Sequence, residues 1–373
     1  NKGTLANATN TGSIASLTNT KNIGTFSNAN GGTLTTLSNT GSAGSIANQG
    51  IITKQVTNQG TIANFSNAGT LSNGLVNNAN ATLTNFTNSG NAGSITNKGT
   101  LSGSNSGIIA NLANTKNIGT FTNANGGTIT NKVSNEGTIA SFDNKGILSG
   151  GFVNNANAIL TKFSNSNNIG TLENKGNLAT LTNTGTLNSA SNTGTIANLD
   201  NTKNIGTFSN LGTITSQVKN QGTITSFDNK GNLSGGFVND TGATLSKFSN
   251  ASNLGTLENK GNLATLTNTG TLNSASNTGT IASLDNTKNI GTFSNAGTIT
   301  NQVKNQGTIT SFDNKGNLSG GFVNDTGATL SKFSNASNLG TLENKGNLAT
   351  LTNTGTLNSA SNTGTIASLD NTK

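Results

Sequence analysis

The stretch NTGTIASLD (277–285) decides how this chain is to be read, because close variants of it recur from end to end. NTGSIASLT (10–18), NKGNLATLT (259–267) and NQGTITSFD (305–313) share its pattern, N-x-G-[T/N]-[I/L]-x-x-[L/F]-x. Around it, residues 201–285 and 286–370 form one 85-residue block written twice, differing only at Leu211 against Ala296 and Ser216 against Asn301. A unit of nine to ten residues is too small to bury its own apolar side chains. It must bury them against copies of itself, which makes the chain a repeat protein.

Composition sharpens this. The 373 residues include 49 Gly and 15 Phe but no Arg, Pro, Cys, Met, Trp, Tyr or His. With 30% hydrophobic residues, low-complexity disorder is the competing description. Disorder requires apolar residues to be scarce or scattered, and here they recur in register. Helix is excluded because no stretch carries an i, i+3, i+4, i+7 stripe of good helix formers. The remaining class is all-β, a parallel β-solenoid over residues 1–373 that reads as a piece of a longer array.

Within a unit numbered from its Asn, positions 5 and 8 are apolar and positions 9, 2 and 4 polar. Reading 8-9-1-2-3-4-5 as one strand gives strict alternation, with Asn and Gly facing inward. Asp313 and Lys315 would then share the outer face. The corner is expected between positions 5 and 8, where units gain a residue and where glycine appears: Gly206, Gly235, Gly236, Gly291, Gly320, Gly321 and Gly340. The other register turns the chain at N-x-G itself, since Asn and Gly are both turn formers. The alternation favours the first.

Stacked coils would align the Asn at position 1 into ladders whose side-chain amides bond along the axis, Asn being both donor and acceptor. The expected members are Asn201, Asn220, Asn229, Asn259, Asn268, Asn277, Asn286, Asn305, Asn314, Asn344, Asn353 and Asn362. Nine units per block suit three units per coil, about 28 residues. The small supply of bulky inward residues suits two units, about 18–19 residues, and that thin coil is expected.

The residue inventory speaks against catalysis. Without His or Cys there is no Ser-His-Asp or Cys-His centre and no usual zinc site. The acids sit at matching places in successive units, mostly beside a Lys, as solvated pairs do. The spacing approaches that of nonapeptide calcium rolls, but the liganding Asp is missing. No metal or cofactor is therefore expected. Net charge is +8. The lysines are dispersed and lack the Arg and aromatic partners of nucleic-acid sites, whereas weak attraction to anionic polysaccharide or a cell surface fits. No apolar run is long enough to span a bilayer. Absence of Cys fits a secreted protein folding without disulfides.

Runs such as NQGTITSFDNKGNL and NTGTLNSASNTGTIASLDNTKNIGTFSN resemble the repetitive passenger regions of autotransporter-type bacterial surface proteins and the repeats of filamentous-haemagglutinin-like proteins. The resemblance covers the whole chain. It implies a right-handed parallel β-helix, elongated into a rod and displayed outside the cell as stalk and adhesin. It carries over no functional residues. The expected function is extracellular and structural or adhesive, with cell-surface or matrix components as partners. A filament of copies associating end to end or laterally is the alternative, and ice binding through outward Thr rows is a third.

Overall fold

The structure is a computed structural model and describes residues 1–372. It is built from parallel β-strands, with no helix among the described residues. The chain divides into two compact units, Asn1–Asn188 and Ser189–Lys373. Each is a stack of coils, and at about 4.8 Å per coil some ten coils make each unit roughly 45 Å tall.

The first coil shows how a unit folds. β1 (Thr4–Asn10) and β2 (Ser13–Asn19) are separated by the turn Thr11–Gly12, and β3 (Asn22–Asn28) follows the turn Thr20–Lys21. β1 pairs with β3, placing Leu5 beside Ile23 and Asn10 beside Asn28. β2 pairs instead with Thr33–Asn39. Odd and even units thus build two parallel sheets, here called the first (containing β1) and the second (containing β2). A coil is two units, and ladder neighbours lie 17 to 21 residues apart. The thin coil is the one adopted.

The strand register differs from the expected one. Strands run over positions 4-5-6-7-8-9 and end on the next Asn, and the chain turns at the x-G pair that follows it. Reading 8-9-1-2-3-4-5 as a single strand is therefore wrong. Positions 5, 8 and 1 point inward, as in Ile281, Leu284 and Asn286 of Thr280–Asn286. Two consecutive residues at positions 6 and 7 face away from the core, so the pleat is interrupted in mid-strand, and strand pairing skips position 6. Alternation misled because it runs equally well through the turn, where no pleat exists. Asp313 and Lys315 still meet in the observed register, across the turn, with Lys315 Nζ 2.7 Å from Asp313 Oδ2.

The extra residue between positions 5 and 8 does open a corner. Asn232–Leu233 and Phe237–Asn239 are separate short strands, with Ser234–Gly236 looping between them. Wide corners come in stacked pairs: Ile214 and Val218 lie beside Leu233 and Phe237 on the adjacent coil. Each pair abuts a narrower coil on either side, and pairing resumes after the loop, as where Ile196 and Leu199 lie beside Ile214 and Val218. The added width accommodates Phe237, which packs edge-on against Phe227 and Phe248 at 4.9 and 5.0 Å between ring centres. All 15 Phe are buried.

Candidate functional surface

Each inner corner is lined by asparagine. Asn286 Nδ2 donates to Asn305 Oδ1 at 2.8 Å and to Lys288 O at 3.0 Å, while Asn286 Oδ1 accepts from Asn268 Nδ2 at 2.8 Å. Both amide hydrogens and the carbonyl are thereby used. The amides all donate in one direction, toward the C-terminal coil, as in Asn201 to Asn220, Asn259 to Asn277 and Asn314 to Asn335. No buried side-chain nitrogen or oxygen lacks a partner among the described residues.

Each expected ladder asparagine lies in one of two ladders, one per sheet. Asn201, Asn220, Asn259, Asn277, Asn314 and Asn353 line the first sheet, and Asn229, Asn268, Asn286, Asn305, Asn344 and Asn362 the second. Sequence reasoning missed Asn210, Asn239, Asn250, Asn295, Asn324 and Asn335, which occupy the same ladders. Asn239, Asn250, Asn324 and Asn335 head units without the N-x-G signature. The signal that finds them lies on the other side of the residue. An apolar side chain stands two places before, as in Phe237-Val-Asn239 and Phe248-Ser-Asn250, and in a strand that puts both on the inner face.

The corner glycines separate into two groups. Gly235, Gly236, Gly320 and Gly321 lie in wide-corner loops, and Gly236 and Gly321 take φ of +84° and +83°, a left-handed conformation that suits glycine. Gly206, Gly291 and Gly340 lie inside strands, at the position that pairing skips. A Cβ on Gly291 would run into the carbonyl oxygen of Asn273 on the coil before.

The outside of each coil carries short polar side chains. One charged constellation recurs per block. Lys219 Nζ lies 3.8 Å from Asp240 Oδ2, Gln221 Nε2 donates to the same carboxylate at 3.3 Å, and Lys260 Nζ pairs with Glu258 at 3.0 Å. The backbone N–H of Thr241 donates to Asp240 Oδ1 at 3.0 Å. That bond first, then Gln221 and the nearby lysines, holds the Asp240 carboxyl below the usual range. These pairs are half-buried at the surface, and each contributes at most about 1 kcal/mol. Beside Glu258, the small residues Ser274, Ala275 and Ser276 leave an open depression of about 410 Å³ walled by Thr256, Thr292 and Ser294.

Because a block holds nine units and a coil two, successive blocks fall on opposite sheets. Lys219 and Phe237 belong to strands of the first sheet, and their counterparts Lys304 and Phe322 to strands of the second. The Asp325 constellation repeats that of Asp240, with Gln306 at 3.3 Å and Lys304 at 3.9 Å. Both sheets of this unit therefore present the same surface, offset by half a turn and four and a half coils. Comparison with protein-family models, with curated proteins and with solved structures finds no match to this chain.

Proposed function

We propose that the chain is an extracellular structural and adhesive repeat, a stiff stalk that attaches through many weak contacts to cell-surface or matrix components. The observation that carries this reading is the repetition of one polar surface on both sheets of unit 2. A partner met from either side finds the same groups, and several poor contacts made at once add up to useful avidity. The residue inventory agrees, since without His or Cys the chain cannot assemble a Ser-His-Asp or Cys-His centre or a usual zinc site. The location outside the cell rests on the cysteine-free composition and on the resemblance to bacterial surface repeats.

Avidity has a measurable signature. Beads coated with the full chain should be retained on cells or matrix with a steep dependence on coating density, while the soluble chain competes poorly. Retention that is linear in density and blocked by low soluble concentrations would point to one strong site and overturn the reading. Growth of light scattering with protein concentration, without retention on any surface, would favour the self-assembling filament instead.

A further inference from the structure

We infer that residues 1–135 of unit 1 dock side-on onto an acidic polysaccharide, through a lysine-bearing side made of the second sheet and the turns that leave it. This rests on the adhesive reading and names the chemistry of the surface to which the stalk attaches. The first 135 residues contain six lysines, Lys2, Lys21, Lys54, Lys98, Lys116 and Lys132, and no acidic residue. Along the chain they look scattered. In the fold they lie on one side, because alternate units belong to alternate sheets. Lys54 and Lys132 occupy wide corners of the second sheet, between Ile51–Ile52 and Val56–Asn58 and between Thr128–Ile129 and Val133–Asn135.

Lys2, Lys21, Lys98 and Lys116 occupy the turns that follow the second ladder, where Asn1, Asn19, Asn97 and Asn114 stand. Backbone bonds stack these turns directly, Thr20 N to Asn1 O at 3.0 Å and Lys98 N to Asn77 O at 2.7 Å. The first sheet over the same residues, with the turns that leave it, carries no charge at all.

The turn lysines come in pairs on adjacent coils, Lys2 with Lys21 and Lys98 with Lys116. Lys54 and Lys132 are four coils apart, as are Lys21 and Lys98, or about 19 Å at 4.8 Å per coil. The four turn lysines are exposed, and none of the six is in an ion pair. Hydroxyl and amide side chains such as Thr33, Thr70 and Asn91 stand on the same sheet and match a polyhydroxylated chain. Duplex DNA carries one charge per about 1.7 Å, which calls for far denser basic residues than these. Single-stranded nucleic acid calls for exposed aromatic platforms, and every Phe here is buried. A bilayer surface calls for apolar or aromatic anchors, and this face offers only the separated Ile51 and Ile108.

The test compares the full chain with a variant carrying Lys21→Gln, Lys54→Gln, Lys98→Gln, Lys116→Gln and Lys132→Gln. The control variant carries Lys203→Gln, Lys247→Gln, Lys288→Gln and Lys332→Gln. The probes are polygalacturonate, neutral dextran, anionic phospholipid vesicles and single-stranded DNA, with circular dichroism confirming the fold of each variant. Polygalacturonate should bind the full chain, with affinity falling about tenfold or more between roughly 0.05 and 0.2 M salt. The five-lysine variant should lose at least about tenfold, and the control should stay within about twofold, since only the first group shares a face.

A double variant, Lys21→Gln with Lys98→Gln, should show an intermediate loss and serves if the larger one misfolds. Equal losses in test and control variants, equal binding of dextran, or binding of vesicles or DNA in place of polygalacturonate would overturn the inference. Full chain that adheres to cells but ignores polygalacturonate would refute this partner and leave adhesion standing. Polygalacturonate binding through these lysines without adhesion to any cell would do the reverse.

Discussion

Asn286 shows what one residue does here. Its amide both accepts from Asn268 and donates to Asn305, so no other side chain of its size can replace it. Asp keeps the acceptor, but it loses the donor and sets a buried negative charge against the Asn305 and Lys288 oxygens. Asn286→Asp should cost about 3 kcal/mol or more, whereas Thr287→Asp in the adjacent exposed turn should stay within about 0.5 kcal/mol. Denaturant unfolding of both variants measures the difference, and equal losses would contradict the ladder. Glycines offer a second comparison. Gly236 and Gly242 have nearly the same φ, +84° and +81°, but a Cβ on Gly236 would meet Thr256, while one on Gly242 meets nothing. Gly242→Ala should cost about 1 kcal/mol for the backbone alone, and Gly236→Ala more, up to about 3 kcal/mol. Gly242→Asn should be tolerated better still, since Asn80 and Asn157 hold the equivalent place with φ of 65° and 67°. Among titrating groups, Asp240 and Asp325 have lowered pKa values and Lys345 a raised one. A lowered carboxyl contributes stability above its unfolded value, near 3.9, and loses it as pH falls through the folded value. A raised lysine contributes below its unfolded value, near 10.4, and loses it as pH rises beyond. With no His or Cys, the unfolding midpoint should be flat between about pH 5 and 9. A shift inside that window would not come from any side chain of this composition.

At the scale of the strand and its corner, the wide loops explain why the core is aromatic where it is. Ser234–Gly236 lengthens the coil, and Phe237 fills the added width between Phe227 and Phe248. Unit 1 repeats the arrangement, with Phe152 edge-on to Phe142 and Phe163 at 5.0 Å each. Phe237→Ala should therefore open a void that the stacked coils on either side hold apart, at a cost of about 3–5 kcal/mol. A loss below about 1 kcal/mol in denaturant unfolding would mean that the corner collapses around the smaller side chain. The corner itself was legible in the sequence as added length plus glycine. The strand boundary was not, because the period-two pattern continues through N-x-G without interruption. What places the turn there is packing. Inward residues at positions 5, 8 and 1 enclose the thin core, whereas an inward position 3 would have filled it with glycine.

Across each unit, a coil contacts the coils before and after it, so stability approximates a sum of local and nearest-neighbour contributions. Damage should therefore stay local. In the Asn286→Asp variant, amide exchange should accelerate in the strands flanking that ladder step and remain slow several coils away. Uniform acceleration throughout unit 2 would show that it unfolds as a single cooperative body. Far-UV circular dichroism of the whole chain should show β-structure with almost no helix. The phase of the blocks also belongs to this scale. Nine units per block is an odd number, so an even number of units per coil throws each copy onto the other sheet. Deleting one whole unit would bring later features back to the face of their counterparts.

Repetition, strand content, the exclusion of helix and the buried asparagine ladder were determined by the sequence alone. Each follows from residue type at a fixed period, and period survives without coordinates. The thin two-unit coil was also expected from the small supply of bulky inward residues, and tertiary structure decided the rest: where the turn falls and which residues share a face. These depend on how many bulky side chains fit across the core between two sheets, a volume that no one-dimensional pattern records. Lys21, Lys54, Lys98, Lys116 and Lys132 make the point. They are scattered along the chain, and only the two-unit coil brings them to one side.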